Sequence, residues 1–137
     1  MAGRQREDAA KVRIGFVRSA DTEFKRLSPK IQKGLLSKLK EVALKPSLGK
    51  PLIGPLHGCC RVTYGRLRCV VRLADGMAVV LVIVVAQRKA GAKDDAYALA
   101  TDYVASNKAV IDEILGRHIR AFLEENASAA QRARKQP

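Results

Sequence analysis

The amino-acid sequence predicts an α+β fold, a two-layer sandwich of one sheet and its helices. The run AVVLVIVV is apolar at every position, which is typical of a central strand covered on both faces. The dipeptide Asp75–Gly76 lies shortly before this run and favours a hairpin turn. With 137 residues, 47% of them hydrophobic, the chain can bury the core of one domain, which excludes disorder of the whole chain.

The predicted elements follow in the order strand, two helices, three antiparallel strands and helix. The second helix begins at Ser28–Pro29, with serine as the cap and proline in the first turn, and its apolar residues recur three and four apart. It ends at Lys45–Pro46, because the residue before a proline is disfavoured in helical conformation. Residues 46–58 hold three prolines and three glycines and are predicted to be loop. The predicted strands cover residues 12–17, 61–64, 66–73 and 77–86.

The charge of the chain is large and unevenly distributed. Lys and Arg number 26 against 13 for Asp and Glu, which gives a net charge of +13 and points to a polyanion as partner. Residues 28–72 hold ten basic side chains and one acid, a net charge of +9, whereas residues 94–125 hold seven acids and three basic side chains, a net charge of −4. We therefore expect two molecular faces of opposite sign.

Other features of the sequence exclude several classes of protein. The three cysteines and two histidines show no CxxC or HxxxH spacing, so neither a structural zinc nor another cofactor is expected. The longest apolar stretch, residues 77–86, is about half as long as a membrane helix, and the N-terminus lacks the apolar region of a signal peptide. We expect a cytoplasmic protein that does not bind a membrane.

Arginines cluster along the predicted hairpin. Arg66 and Arg68 share one face of strand 66–73, Arg61 lies across the turn before it, and Arg88 follows the last strand. Guanidinium groups present paired donors and stay charged, so a converging cluster of this kind favours a phosphate ligand. A solvated outer face of the sheet is the alternative interpretation.

Three further residues are candidates for a functional site. Tyr97 lies early in the last helix, where a phenol could take part in proton transfer or simply pack against the core. Lys38 and Lys45 belong to the lysine-rich second helix and could contact RNA or form a solvated face. The basic region of the sheet has no clustered carboxylates, so cleavage of a phosphodiester there would be metal-free, with arginines stabilising the charged transition state.

Three segments in this order resemble the RelE/ParE superfamily, the toxins of bacterial toxin–antitoxin systems: FVRSADTEFKRL, PLIGPLHGCCRVTYGRLRCVVRL and AVVLVIVVAQRKAGAKDDAY. The resemblance covers about residues 12–103 and implies a RelE/ParE-like fold with ribosome-associated mRNA endonuclease activity. It assigns catalytic roles to Arg61, Arg68, Arg88 and Tyr97.

The resemblance also implies an acidic antitoxin, mRNA and the ribosome as partners. A second lysine used by the best-known RNase members falls at Thr63, which cannot act as a cation. Two alternatives therefore stay open. One is a ParE-like inhibitor of DNA gyrase, and the other is an inactive relative that binds nucleic acid through its basic face. In the nuclease interpretation we expect Arg66, Lys38 and Lys45 to bind RNA.

The predicted domain organisation has four parts: a flexible N-terminus at residues 1–11, the toxin domain at 12–104, a helical extension at 105–125 and a disordered basic tail at 126–137. The extension carries an apolar stripe with helical spacing, and such a stripe is stabilised by burial. We expect it to pack on the domain's own sheet, with self-association or antitoxin docking as alternatives. The stripe consists of Val110, Ile111, Ile114, Leu115, His118, Ile119, Phe122 and Leu123.

Overall fold

The computed structural model describes residues 12–74, 76–87 and 95–135. Its strands are β1 (Arg13–Phe16), β2 (Lys50–Pro51), β3 (Cys59–Tyr64), β4 (Leu67–Leu73) and β5 (Val79–Gln87). Its α-helices are α1 (Arg18–Lys25), α2 (Pro29–Leu44) and α3 (Asp95–Lys135). The predicted α+β class is confirmed, and no helix in the described residues is both long and apolar enough to cross a membrane.

The five strands form one mixed sheet in the order β1-β5-β4-β3-β2. β1 pairs with β5 in parallel, and the other neighbours are antiparallel. β5 therefore lies inside the sheet, and each of its residues from Val79 to Val85 is buried. The prediction of a central strand covered on both faces is confirmed.

The predicted boundaries of the second helix are confirmed. The Ser28 side chain accepts a hydrogen bond from the backbone N–H of Ile31 at 3.4 Å, and Pro29 occupies the first helical position. α2 ends at Leu44, directly before Lys45–Pro46.

The prediction of loop throughout residues 46–58 is wrong at two positions. Lys50 and Pro51 form β2, an edge strand in which Lys50 lies opposite Arg61 and Pro51 lies opposite Cys60. A strand of two residues is too short to show an alternating pattern, and proline is tolerated at a sheet edge.

Helices cover both faces of the sheet. On one face, a side chain added at Gly34 of α2 would collide with the Tyr64 hydroxyl, which shows how closely α2 approaches β3. Phe16 of β1 packs against Phe24 of α1, with ring centroids 4.8 Å apart. Neighbouring residues of a strand point to opposite faces, so Gly15 faces away from the side on which Phe16 meets α1. Gly15 lies against His118 of α3, which therefore covers the second face of the sheet. The sheet with α1 and α2 thus forms the predicted two layers, and α3 adds a third.

The apolar stripe of α3 packs on the sheet of its own domain, as predicted. Ile111 is 1% exposed and Leu115 is 7% exposed, whereas Leu123 at the border of the stripe is 53% exposed. The helix has a kink at Asn107, where φ is −131° and ψ is 27°. Beyond the kink, residues of the stripe also pack against the edge of the core: Ile114, Ile119 and Phe122.

The expectation of disorder from residue 126 differs from the structure, in which α3 continues to Lys135. This segment lacks an apolar stripe, but alanine, glutamine, arginine and lysine have high intrinsic helix propensities. They extend a helix that the packed residues before them have already nucleated. Residues 1–11, predicted to be flexible, lie outside the described residues.

The Ile111→Ala variant should lower the free energy of unfolding by about 2–4 kcal/mol, because it leaves a cavity between α3 and the sheet. The Leu123→Ala variant removes an apolar side chain from the same helix and should change the free energy of unfolding by less than about 0.5 kcal/mol, because Leu123 is largely exposed. Urea unfolding followed by circular dichroism measures both. Equal stability of the two variants would contradict the packing of α3 on the sheet.

Candidate functional site

The register of the central hairpin places two candidate arginines on the face that α3 covers. Thr63 of β3 lies directly opposite Arg68 of β4, and Arg61 lies opposite Val70. Opposite residues and residues two apart share a face of a sheet. Arg61, Thr63 and Arg68 therefore project to the same side.

Arg61 and Tyr97 are in direct contact. The Arg61 guanidinium donates a hydrogen bond through Nη1 to the Tyr97 hydroxyl at 2.6 Å, although the two residues are 36 positions apart in sequence. Both side chains are half-buried, and Tyr97 lies in the first turn of α3. Since a guanidinium has five N–H donors, Arg61 can hold this phenol and still bind a phosphate oxygen.

The tight turn between β3 and β4 orients Arg68. Its Nη1 donates to the carbonyl oxygens of Gly65 at 3.1 Å and Leu67 at 3.2 Å. Gly65 has φ of +57°, a left-handed conformation that favours glycine. Arg66 belongs to this turn rather than to the strand, and its side chain is exposed.

Other arginines are paired with acids of α3. Arg72 Nη1 lies 3.0 Å from an Asp112 carboxylate oxygen, and Arg13 Nη1 lies 2.7 Å from one of Glu125. The expected separation into two faces of opposite charge does not hold at Arg72, which belongs to the basic segment 28–72 and contacts the acidic segment 94–125. The acidic segment packs against basic strands through the apolar stripe of α3, and these partly exposed ion pairs add little to its stability.

Two of the predicted site residues, Lys38 and Lys45, are not brought to Arg61 and Arg68. Lys38 is half-buried and Lys45 is exposed, and both belong to α2 or its end, on the opposite face of the sheet. Arg88 lies outside the described residues. Sequence analysis missed one cation at the site, Lys50, because its position was predicted to be loop.

The cysteines lie beside the site but do not suit nucleophilic chemistry. Burial raises the pKa of the Cys69 thiol to about 12, and it also raises the pKa of Cys59 and Cys60. At Cys59 the positive charge of Arg72 opposes this rise. Thiols with raised pKa values stay protonated near neutral pH and are poor nucleophiles.

His118 anchors the second half of α3 to β1. A side chain at Gly15 would overlap the imidazole ring, so glycine gives His118 its place on the strand. The Arg13 guanidinium lies within hydrogen-bond distance of His118 Nδ1, at 3.3 and 3.4 Å. Burial lowers the pKa of His118, and the positive charges of Arg13 and Arg117 lower it further. The neutral imidazole is thus the form that fits this packed position.

Comparison with solved structures identifies the fold. The free-state structure of an E. coli RelE toxin variant, with two arginines replaced by alanine, matches with a TM-score of 0.54 and 25% sequence identity, over 68% of this chain and 97% of that chain. A RelBE toxin–antitoxin complex from Mycobacterium tuberculosis matches with a TM-score of 0.49 and 24% identity, over 56% of this chain and 98% of that chain.

The YoeB–YefM complex from Staphylococcus aureus matches with a TM-score of 0.48 and 18% identity, over 58% of this chain and 100% of that chain. No protein-family model matches the sequence, and no curated protein matches it significantly. On the likeness to the E. coli RelE variant, the chain has a RelE-like toxin fold, as the sequence resemblance implied.

The lowered pKa of His118 predicts a loss of stability in mild acid. Because the unfolded chain binds the proton more tightly, the free energy of unfolding should fall as the pH decreases through about 6.5. The His118→Gln variant should show a smaller change between about pH 7.5 and 5.5 than the parent protein. Urea unfolding at several pH values measures this difference.

His57 provides the matched control, since it is exposed. The His57→Gln variant should keep the pH dependence of the parent protein. The assignment to His118 is contradicted when His118→Gln and the parent protein lose the same free energy of unfolding over this range.

Proposed function

We propose that the chain is the toxin of a toxin–antitoxin pair and that it cleaves mRNA at the ribosome in the cytoplasm without a metal ion. The observation that carries this proposal is the Arg61–Tyr97 contact of 2.6 Å, on the same sheet face as Arg68. The RelE-like toxin fold supports it. Arginines can bind a phosphodiester, and a phenol beside them can take part in proton transfer from a neighbouring hydroxyl.

In the proposed reaction the 2′-hydroxyl of the RNA attacks the adjacent phosphorus. The new P–O2′ bond forms as the P–O5′ bond breaks, and the departing 5′ oxygen takes a proton from solvent. Arg61 and Arg68 hold the scissile phosphate, and Arg88 stabilises the negative charge that develops on it. Arginine is a poor proton donor, so these roles are electrostatic. Either Tyr97 accepts the proton of the 2′-hydroxyl as its phenolate, or Tyr97 stacks on a base and that proton passes to water.

The Arg68→Ala variant should cleave ribosome-bound mRNA at least about 100-fold more slowly than the parent protein, because one of the phosphate-binding charges is lost. Thermal unfolding should show an intact fold, since Arg68 is half-buried beside an exposed turn. Arg88→Ala should have a similar effect. Primer extension on the mRNA measures the cleavage rate.

The control is Arg26→Ala, which removes an exposed arginine from the end of α1 and should cleave at the rate of the parent protein. Tyr97→Phe separates the two roles of Tyr97, since stacking survives the loss of the hydroxyl and proton transfer does not. Full translation arrest by both Arg68→Ala and Arg88→Ala would refute the nuclease proposal.

Expression in cells separates this function from the two alternatives. An mRNA endonuclease stops protein synthesis within minutes, an inhibitor of DNA gyrase induces the DNA-damage response, and an inactive RNA-binding relative does neither. Pulse labelling and a damage-responsive reporter measure the first two outcomes in one culture.

The proposed antitoxin is an acidic protein whose segment folds on binding, because residues 28–72 carry a net charge of +9. The association rate of toxin and antitoxin should fall by about tenfold or more between low and high salt, as expected for electrostatic steering. Stopped-flow fluorescence measures this rate, and a rate independent of salt would count against charge-guided association.

A further inference from the structure

The short strand β2 brings a lysine to the arginine site. Lys50 lies directly opposite Arg61 in the antiparallel pair of β2 and β3. The Cβ atoms of such a pair are about 4.5–5.5 Å apart, and both side chains project to the same face. Lys50 is exposed, so its ammonium group is open to a ligand beside the half-buried Arg61.

Lys50, Arg61 and Arg68 form a row across three neighbouring strands, which we name the cation track. Neighbouring strands are about 4.8 Å apart. Arg68 is two residues along β4 from Val70, the residue opposite Arg61, so their separation is the diagonal distance of about 7–8 Å. The track is long enough to meet two phosphates that follow each other along a nucleic-acid strand.

None of the ion pairs among the described residues includes a residue of the cation track. They join Arg13 and Arg72 to acids of α3, and Lys25 and Arg26 to acids of α1. The partners of Arg61 and Arg68 in the described structure are neutral, namely a phenol and two backbone carbonyls. Three positive charges on one face therefore favour a polyanionic ligand.

We propose that Lys50 binds the RNA phosphate next to the one held by Arg61, so that the cation track holds two consecutive phosphates of single-stranded RNA. This inference rests on the proposed function and extends its substrate contacts to β2. Lysine suits this position because its flexible stem can bring a point charge to a phosphate at the sheet edge.

The test compares the parent protein with Lys50→Ala and Lys50→Arg, using Lys40→Ala as the control. Lys40 is an exposed lysine of α2, on the other face of the sheet. Two measurements are made on each protein: binding of a single-stranded RNA hexanucleotide at several salt concentrations, and cleavage of ribosome-bound mRNA. Thermal unfolding verifies that the variants are folded.

Lys50→Ala should bind the hexanucleotide about fivefold more weakly, the size expected for one exposed ionic contact. The negative slope of log affinity against log salt should become shallower by about 0.7, since one fewer counterion is released from a single strand. Lys50→Arg should restore most of the affinity, and Lys40→Ala should leave both quantities unchanged. In cleavage, Lys50→Ala should raise KM more than it lowers kcat, because Lys50 contacts a phosphate beside the scissile one.

The outcomes separate the two proposals. If Lys50→Ala binds RNA with the affinity and salt slope of the parent protein, the cation track is refuted, whether or not the parent protein cleaves mRNA. If the parent protein does not cleave mRNA but Lys50→Ala still weakens RNA binding, the nuclease proposal fails and the cation track stands.

Discussion

The burial of β5 on both faces is the constraint on which the rest of the structure depends. Seven consecutive residues, Val79–Val85, have almost no contact with water, and a strand in this state needs a layer of side chains above and below it. α1 and α2 supply one layer. α3 supplies the other through Ile111 and Leu115, so the hydrophobic effect requires a helix on the face from which the arginines project.

The position of α3 explains how the arginines divide into two groups. Where the helix crosses the sheet, Arg72 and Arg13 meet acids at Asp112 and Glu125 and contribute to docking. At the first turn of the helix the partner is the uncharged Tyr97, so the charge of Arg61 stays available for a ligand. The same sheet face thus serves packing at one end and carries the candidate phosphate site at the other.

Much of this arrangement could be predicted from the sequence, and the exceptions have physical causes. The alternation around Arg68 and the continuous apolar run of β5 are local patterns, so strand identity and the proximity of Arg61 to Arg68 followed from them, whereas their shared face follows from the register of β3 and β4. The position of Lys50 beside Arg61 results from the pairing of β2 with β3. It could not be predicted because β2 has only two residues, which is too short for a periodic pattern. Disorder is predicted after residue 125 because that segment has no apolar stripe. A helix that is already nucleated can nevertheless continue on intrinsic helix propensity alone, and α3 continues to Lys135.

Stability and the candidate site are coupled because one helix serves both. Movement of α3 away from the sheet would uncover the second face of β5 and would also separate Tyr97 from Arg61, so the site exists in the fully packed state. Gly15 shows how closely the second half of the helix approaches the sheet, since a side chain there would overlap the His118 imidazole. Tyr97 precedes the kink at Asn107 and His118 follows it, so contacts on both sides of the kink join α3 to the sheet.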